Sequence, residues 1–256
     1  MMEYIHHAFF YSPRLASLVT PSLQSREGDG GELEICFGLL ALLIEFRPMG
    51  PERRERLLSV LHKRQPGLAV VMENVNDPHN ISAVMRTCDA VGIQDIYVLN
   101  TKIAKHKGFG PKSSSSAAKW LSVHHYEHAE ECFSELRKHY SKILTTHLGA
   151  DSVGLYDIDF TENIALVFGN EHDGVSEEIR ALADGNFLVP QMGIIQSLNI
   201  SVACAVSIYE AMRQKKVAGQ YDTPALPQQR IDELMTEWGL PNAKKKWVAH
   251  FKKEKK

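Results

Sequence analysis

The chain has 256 residues, 44% of them hydrophobic and 23% charged, with a formal net charge of −2. That balance suits one folded domain with terminal appendages and excludes a disordered, collagen-like or coiled-coil chain. It also excludes a globally basic nucleic-acid binder, though not a locally basic one.

Residues 1–48 show no clean periodicity. Ile35–Phe46 is apolar but only 12 residues long, and Glu45 interrupts it; a membrane span needs about 20. The opening MMEYIHHAFF lacks the basic start of a secretory signal. No membrane association is expected. Met49 precedes a well-formed helix start at Pro51, so Met49 is expected to be the natural first residue, with 1–48 an irregular extension. Mass spectrometry of the native protein tests this, and a peptide spanning Phe46–Pro51 would contradict it.

Residues 49–66 read as a basic amphipathic helix with Leu57, Leu58, Val60 and Leu61 on its apolar stripe. Residues 51–65 carry a net charge of +3 and the tail 242–256 one of +6, so about −11 is left on the rest. An acidic body with basic ends can present two arms to a polyanion. The candidate nucleic-acid contacts are Arg53, Arg54, Arg56, Lys63 and Arg64 in the first arm. In the second they are Lys244, Lys245, Lys246, Lys252 and Lys253, where Trp247 and Phe251 add stacking surfaces. The plain reading of a Lys-rich end is a solubilising tail.

From residue 67 strand and helix signals alternate. Strands are expected at 68–73, 95–99, 119–123, 142–147, 164–168 and 186–190. Helices are expected at 79–91, 127–139, 175–183 and 197–216, and an amphipathic helix follows Pro227. Such alternation predicts an α/β fold with a mostly parallel sheet. Ligands of such sheets sit at the carboxyl ends of strands. The domains are expected at 67–219 for the α/β body and 220–256 for a C-terminal helix and tail.

The familiar phosphate-binding signatures fail. No GxGxxG follows a strand, GFGPKS at 108–113 lacks the spacing of a Walker loop, and no GxSxG occurs. His124, His125 and His128 lack the glutamate of a zincin, so they are expected to be surface histidines and no metal is expected. The four cysteines, Cys36, Cys88, Cys132 and Cys204, contain no CxxC pair and suit a reducing cytosol.

Three motifs remain. The first is Asn80-Ile-Ser-Ala-Val-Met-Arg86-Thr, where Asn80 has a plain reading as a helix cap and Arg86 as a partner of Asp89. The second is Phe168-Gly-Asn-Glu171-His-Asp-Gly174, whose plain reading is a strand-to-helix turn. The third is Val189-Pro-Gln-Met-Gly193 followed by Ser197-Leu198-Asn199-Ile-Ser-Val-Ala. Ser197 has a plain reading as a cap, whereas Asn199 is a poor helix former early in a helix.

In this order and at these separations the three motifs resemble the SpoU/TrmH branch of the SPOUT superfamily of RNA ribose 2′-O-methyltransferases, over residues 51–221. The resemblance implies a SPOUT α/β knot, with a trefoil knot towards the C-terminal end of the domain, flanked by short helical extensions. Knots are nearly absent from ordinary folds, and nothing in the periodicity suggests one. It further implies a homodimer using S-adenosyl-L-methionine. By the same resemblance, Thr146, Gly169, Val189, Gly193 and Leu198 contact that cofactor, Arg86 is the catalytic arginine, and Asn80, Glu171, Ser197 and Asn199 complete the site.

Methyl transfer needs a ribose 2′-oxygen in line with the methyl and help in removing its proton. Arginine is a poor base, with a pKa above about 12. Arg86 is therefore read as the group that orients the ribose and an adjacent phosphate and favours ionisation of the hydroxyl. A deprotonated arginine acting as the base is the alternative proposed for the family. Helical extensions on both sides of the body resemble those of enzymes methylating a D-loop guanosine of tRNA. Guanosine 18 of tRNA is thus the expected substrate, in the cytoplasm. A ribosomal RNA methyltransferase or a non-catalytic RNA-binding relative is the alternative.

Overall fold

A computed structural model describes residues 50–104, 117–195 and 197–239. These belong to the unit Gly50–Lys256. The expectations for residues 1–48 and for Lys244, Lys245, Lys246, Lys252 and Lys253 lie outside the described residues.

Among the described residues seven strands form one sheet, all pairs parallel. In chain order they are β1 (Leu68–Glu73), β2 (Asp95–Leu99), β3 (Ser122–Tyr126), β4 (Lys142–Thr146), β5 (Val153–Gly154), β6 (Ile164–Phe168) and β7 (Gly185–Leu188). Their order across the sheet is β3-β2-β1-β6-β4-β7-β5. The helices are α1 (Pro51–Leu61), α2 (Pro78–Val91), α3 (Ala129–Leu136), α4 (Glu177–Leu182), α5 (Ile200–Val217) and α6 (Gln228–Gly239).

Side chains alternate across the sheet and build two cores. Leu68, Val70 and Met72 of β1, with Ile164, Leu166 and Phe168 of β6, pack towards α2 and α5. Ala69, Val71, Ala165 and Val167 pack on the other face, with Cys132, Phe133 and Leu136 of α3 and Ile179 of α4. Both faces are covered, which is why β6, and β1 as far as Met72, read as unbroken apolar runs. Burial pushes the Cys88 and Cys132 thiols up, so these core sulfurs stay neutral. Among the described residues no helix is long and apolar enough to cross a membrane.

Helix α2 starts at Pro78, with the Asp77 carboxylate accepting the His79 N–H, and ends where Gly92 takes φ 89°. Asp77, not Asn80, is therefore its cap. At α5 the cap is Asn199, which accepts the Ser201 N–H, so the helix begins two residues later than the Ser197 reading expects. The strand expected at 119–123 is a 3₁₀ turn at Ala117–Trp120 followed by β3. His124 and His125 lie in that strand half-buried rather than on the surface. His124 Nε2 is 2.8 Å from Asp95 Oδ1, and its ring stacks on Tyr97. The short strand β5 was not expected.

Arg64 corrects the RNA-contact set. Its side chain is fully buried, donating to Asp89 Oδ1 at 2.6 Å, Ile93 O at 3.0 Å and Trp120 O at 3.1 Å. The guanidinium also lies 5.4 Å from the centroid of the Trp238 ring of α6. It ties the start of the body to the C-terminal helix and faces no solvent. Its partner Asp89 is also the residue that the plain reading assigned to Arg86. Arg64→Ala removes a donor from the buried Ile93 carbonyl and the part-buried Trp120 carbonyl and leaves one carboxylate without its cation. The expected cost is about 3 kcal/mol, at the low end for a broken buried pair because Asp89 remains a third exposed. Urea unfolding checks this.

Candidate active site

Strands β6, β4 and β7 are neighbours, so their C-terminal loops meet above one end of the sheet. Together with the start of α5 they enclose a cleft of about 340 Å³, a volume suited to a small-molecule ligand. Its walls include Thr146–Leu148 after β4, Gly169–Val175 after β6, Val189 and Gln191 after β7, and Ser197, Leu198 and Ile200.

The second motif forms a closed loop. Asn170 and Gly174 exchange both backbone hydrogen bonds, at 3.0 and 3.1 Å, while Gly174 takes φ 69°. The two backbone segments come so close that a Cβ on Gly169 would lie 2.1 Å from the Gly174 carbonyl carbon. Only glycine permits this closure, and it leaves bare backbone on the cleft wall. The Asn170 carboxamide oxygen accepts the His172 N–H at 2.7 Å, and its Nδ2 donates to Asn74 O at 2.9 Å.

Beneath the loop lie Glu73 and Asn74, which sequence reasoning missed. Glu73 is buried at the end of β1 and accepts the Ser176 N–H at 3.0 Å. Asn74 takes φ 50°, a left-handed conformation that asparagine tolerates. Its side chain donates to Thr101 Oγ1 at 2.9 Å and accepts the Lys102 N–H at 2.9 Å. The loops after β1, β2 and β6 are thereby fastened together. An acid ending an otherwise apolar strand was the visible signal for Glu73.

The structure brings three of the five expected catalytic residues together. Asn80 Nδ2 donates to Glu171 Oε1 at 2.9 Å, and Asn199 Nδ2 donates to Asn80 Oδ1 at 3.2 Å. The second Glu171 oxygen accepts the Asn76 N–H at 3.5 Å. Each of the three motifs thus supplies one member of a hydrogen-bonded chain, and Ser197 lines the cleft beside it. Arg86 is exposed on α2 and forms no hydrogen bond or ion pair with this group. Of the expected cofactor contacts, Thr146, Gly169, Val189 and Leu198 line the cleft, whereas Gly193 sits in an exposed stretch outside its lining. No group of three or more metal-ligating side chains occurs among the described residues.

The cleft fits a nucleoside-sized cofactor in its volume, its bare glycine wall and its apolar floor of Phe168, Phe187 and Ile200. The rim adds amide donors and acceptors that can orient a hydroxyl-bearing substrate. Arg53, Arg54, Arg56 and Lys63 are exposed on or just after α1, as an arm requires.

Comparison with known proteins gives consistent matches. Residues 67–209 match the SpoU rRNA Methylase family. A tRNA (guanosine(18)-2′-O)-methyltransferase of Thermus thermophilus is 40% identical over 189 residues, covering 73% of this chain and 95% of that protein. The crystal structure of a TrmH/SpoU tRNA modifying enzyme of A. aeolicus superposes with a TM-score of 0.69 at 36% identity, covering 73% of this chain and 95% of that one. An AdoMet-bound rRNA methyltransferase of Sinorhizobium meliloti superposes with a TM-score of 0.52 at 26% identity, covering 61% of this chain and 59% of that one.

Proposed function

The chain belongs to the SpoU rRNA Methylase family, and from that premise we propose that it methylates the ribose 2′-oxygen of guanosine 18 in the D-loop of tRNA, using S-adenosyl-L-methionine. The observation that carries this is the meeting of Asn80, Glu171 and Asn199, up to 119 residues apart in sequence, at the rim of a nucleoside-sized cleft. The methyltransferase similar over 95% of its own length acts on that nucleotide.

The cofactor, bound in the cleft, supplies a methyl on a sulfonium leaving group. Thr146, Gly169, Val189 and Leu198 hold it. Arg86, with two parallel N–H donors, orients the ribose and an adjacent phosphate and stabilises the oxygen as its proton leaves to a phosphate or to water. Asn80, Glu171 and Asn199 hold the rim in one geometry, each satisfying the next.

The active form is a homodimer, and the SPOUT trefoil knot forms the cleft. Met192, Ile194 and Ile195 expose 96%, 98% and 70% of their surface next to the cleft loops. Such an apolar stretch suits burial against a second copy. Light scattering is expected to give twice the chain mass. The enzyme works in the cytoplasm, where free thiols persist.

The exposed cations of α1, with the lysine tail, steer tRNA. Binding is expected to weaken steeply with salt, and each removed phosphate contact to lower the slope of log K against log salt by about 1. Salt-insensitive binding would contradict the arms. The function itself is tested by labelled methyl transfer into tRNA and ribosomal RNA with the nucleotide mapped. Label in the tRNA D-loop is expected. Label only in ribosomal RNA would move the substrate, and none in either would leave an RNA-binding relative.

A further inference from the structure

Arg180 lies on α4. Among the described residues no carboxylate forms an ion pair with it. Its Nη1 lies 3.0 Å from His147 Nε2, and its Nε is buried without a hydrogen-bond partner. A guanidinium only donates, so His147 Nε2 accepts and the ring proton is on Nδ1. The His147 backbone is fixed from both sides, its N–H donating to Phe187 O at 3.0 Å and its carbonyl accepting from Ser152 Oγ at 2.8 Å. A Cβ on Gly149 would meet His147 Cδ2 at 3.0 Å and Nε2 at 3.3 Å. That ring edge therefore faces Gly149 and Arg180. His147 lines the cleft beside Thr146, and with Nε2 engaged by Arg180 the Nδ1 proton is the ring's remaining donor.

We infer that His147, backed by Arg180, is the anion-binding end of the cleft, and that it receives the α-carboxylate of the cofactor's amino-acid tail. This rests on the cofactor reading above. The rest of the cleft favours a zwitterion over a nucleic-acid phosphate. Glu171 and Asp173 line the wall after β6, where they repel a polyanion and suit the ammonium of the same tail. A neutral imidazole N–H with a fixed positive charge behind it is a strong carboxylate donor.

The test is calorimetric titration of the full chain, without RNA, with S-adenosylhomocysteine and with its decarboxylated analogue, S-adenosyl-3-thiopropylamine. The wild type is expected to bind the first about tenfold or more tightly than the second. In Arg180→Gln that advantage is expected to vanish, with the analogue's Kd unchanged within about twofold, which also reports an intact cleft. Arg180→Lys, keeping charge but not the fork, is expected to regain part of it. An undiminished advantage in Arg180→Gln, or equal binding of both ligands to the wild type, overturns the inference. So does an Arg180→Gln variant that loses tRNA affinity alone, since the anion would then be a phosphate. Failure of both ligands to bind the wild type overturns the cofactor reading and this inference with it.

Discussion

Arg86→Lys is expected to lower kcat for methyl transfer about a hundredfold or more, while S-adenosylmethionine affinity stays within about twofold. Lysine keeps the charge and most of the length. It loses the planar pair of donors that can grip a ribose oxygen and a phosphate at once. Removing one preorganised donor from a developing oxyanion costs about a hundredfold to a thousandfold. The fold has no stake in the exchange, because Arg86 is exposed and Asp89, its nearest plausible anchor, is held by Arg64. Cofactor affinity holds because Arg86 is not part of the cleft lining. Single-turnover kinetics with saturating tRNA and calorimetry with the cofactor separate the two quantities. Near-normal turnover would make Arg86 a surface residue only.

Gly169→Ala is expected to weaken cofactor binding, with Kd rising at least about tenfold, and to lower the melting temperature. The added Cβ would meet the Gly174 carbonyl carbon at 2.1 Å, its oxygen at 2.2 Å and Val175 N at 2.2 Å. All three are backbone atoms, so no rotamer change relieves the clash. Overpacking of this kind costs about 1–3 kcal/mol or more. Here the strain opens the Asn170–Gly174 pairing, which shapes one wall of the cleft. Gly193→Ala is the control, because a Cβ there meets nothing within 4 Å. It is expected to melt and to bind like the wild type. Calorimetry and thermal unfolding of the two variants provide the comparison.

Periodicity in the sequence carried the sheet a long way. LAVVM and IALVF are wholly apolar because both faces of β1 and β6 are covered, and that signal survives in a short run. It does not carry the order of strands. Nothing in residues 164–168 announces that β6 lies between β1 and β4. The two-residue β5 is too short to have a period at all, whereas β7 overlaps the strand expected at 186–190. Helix ends shifted where two polar residues competed for one cap, with Asp77 taking the place expected of Asn80 and Asn199 that of Ser197.

The site shows the same division. Asn80, Glu171 and Asn199 were legible as motif members, since polar residues at fixed offsets stand out beside apolar runs. Their mutual hydrogen bonds were not, because the partners are 91 and 119 residues apart. Arg64 was misassigned because a basic run looks alike whether it faces water or one member turns inward. Only the approach of Asp89, Trp120 and Trp238 distinguishes it. His147 and Arg180 carry no local signature, since their meaning lies in the 3.0 Å between them.

The most direct measurement is labelled methyl transfer to a tRNA in which guanosine 18 alone carries a 2′-deoxyribose, beside the unmodified tRNA. The unmodified tRNA is expected to take up one methyl at the guanosine 18 ribose. The deoxy tRNA is expected to bind equally well and to take up none. Label appearing in the deoxy tRNA would place the methyl elsewhere and contradict the assignment of the ribose 2′-oxygen.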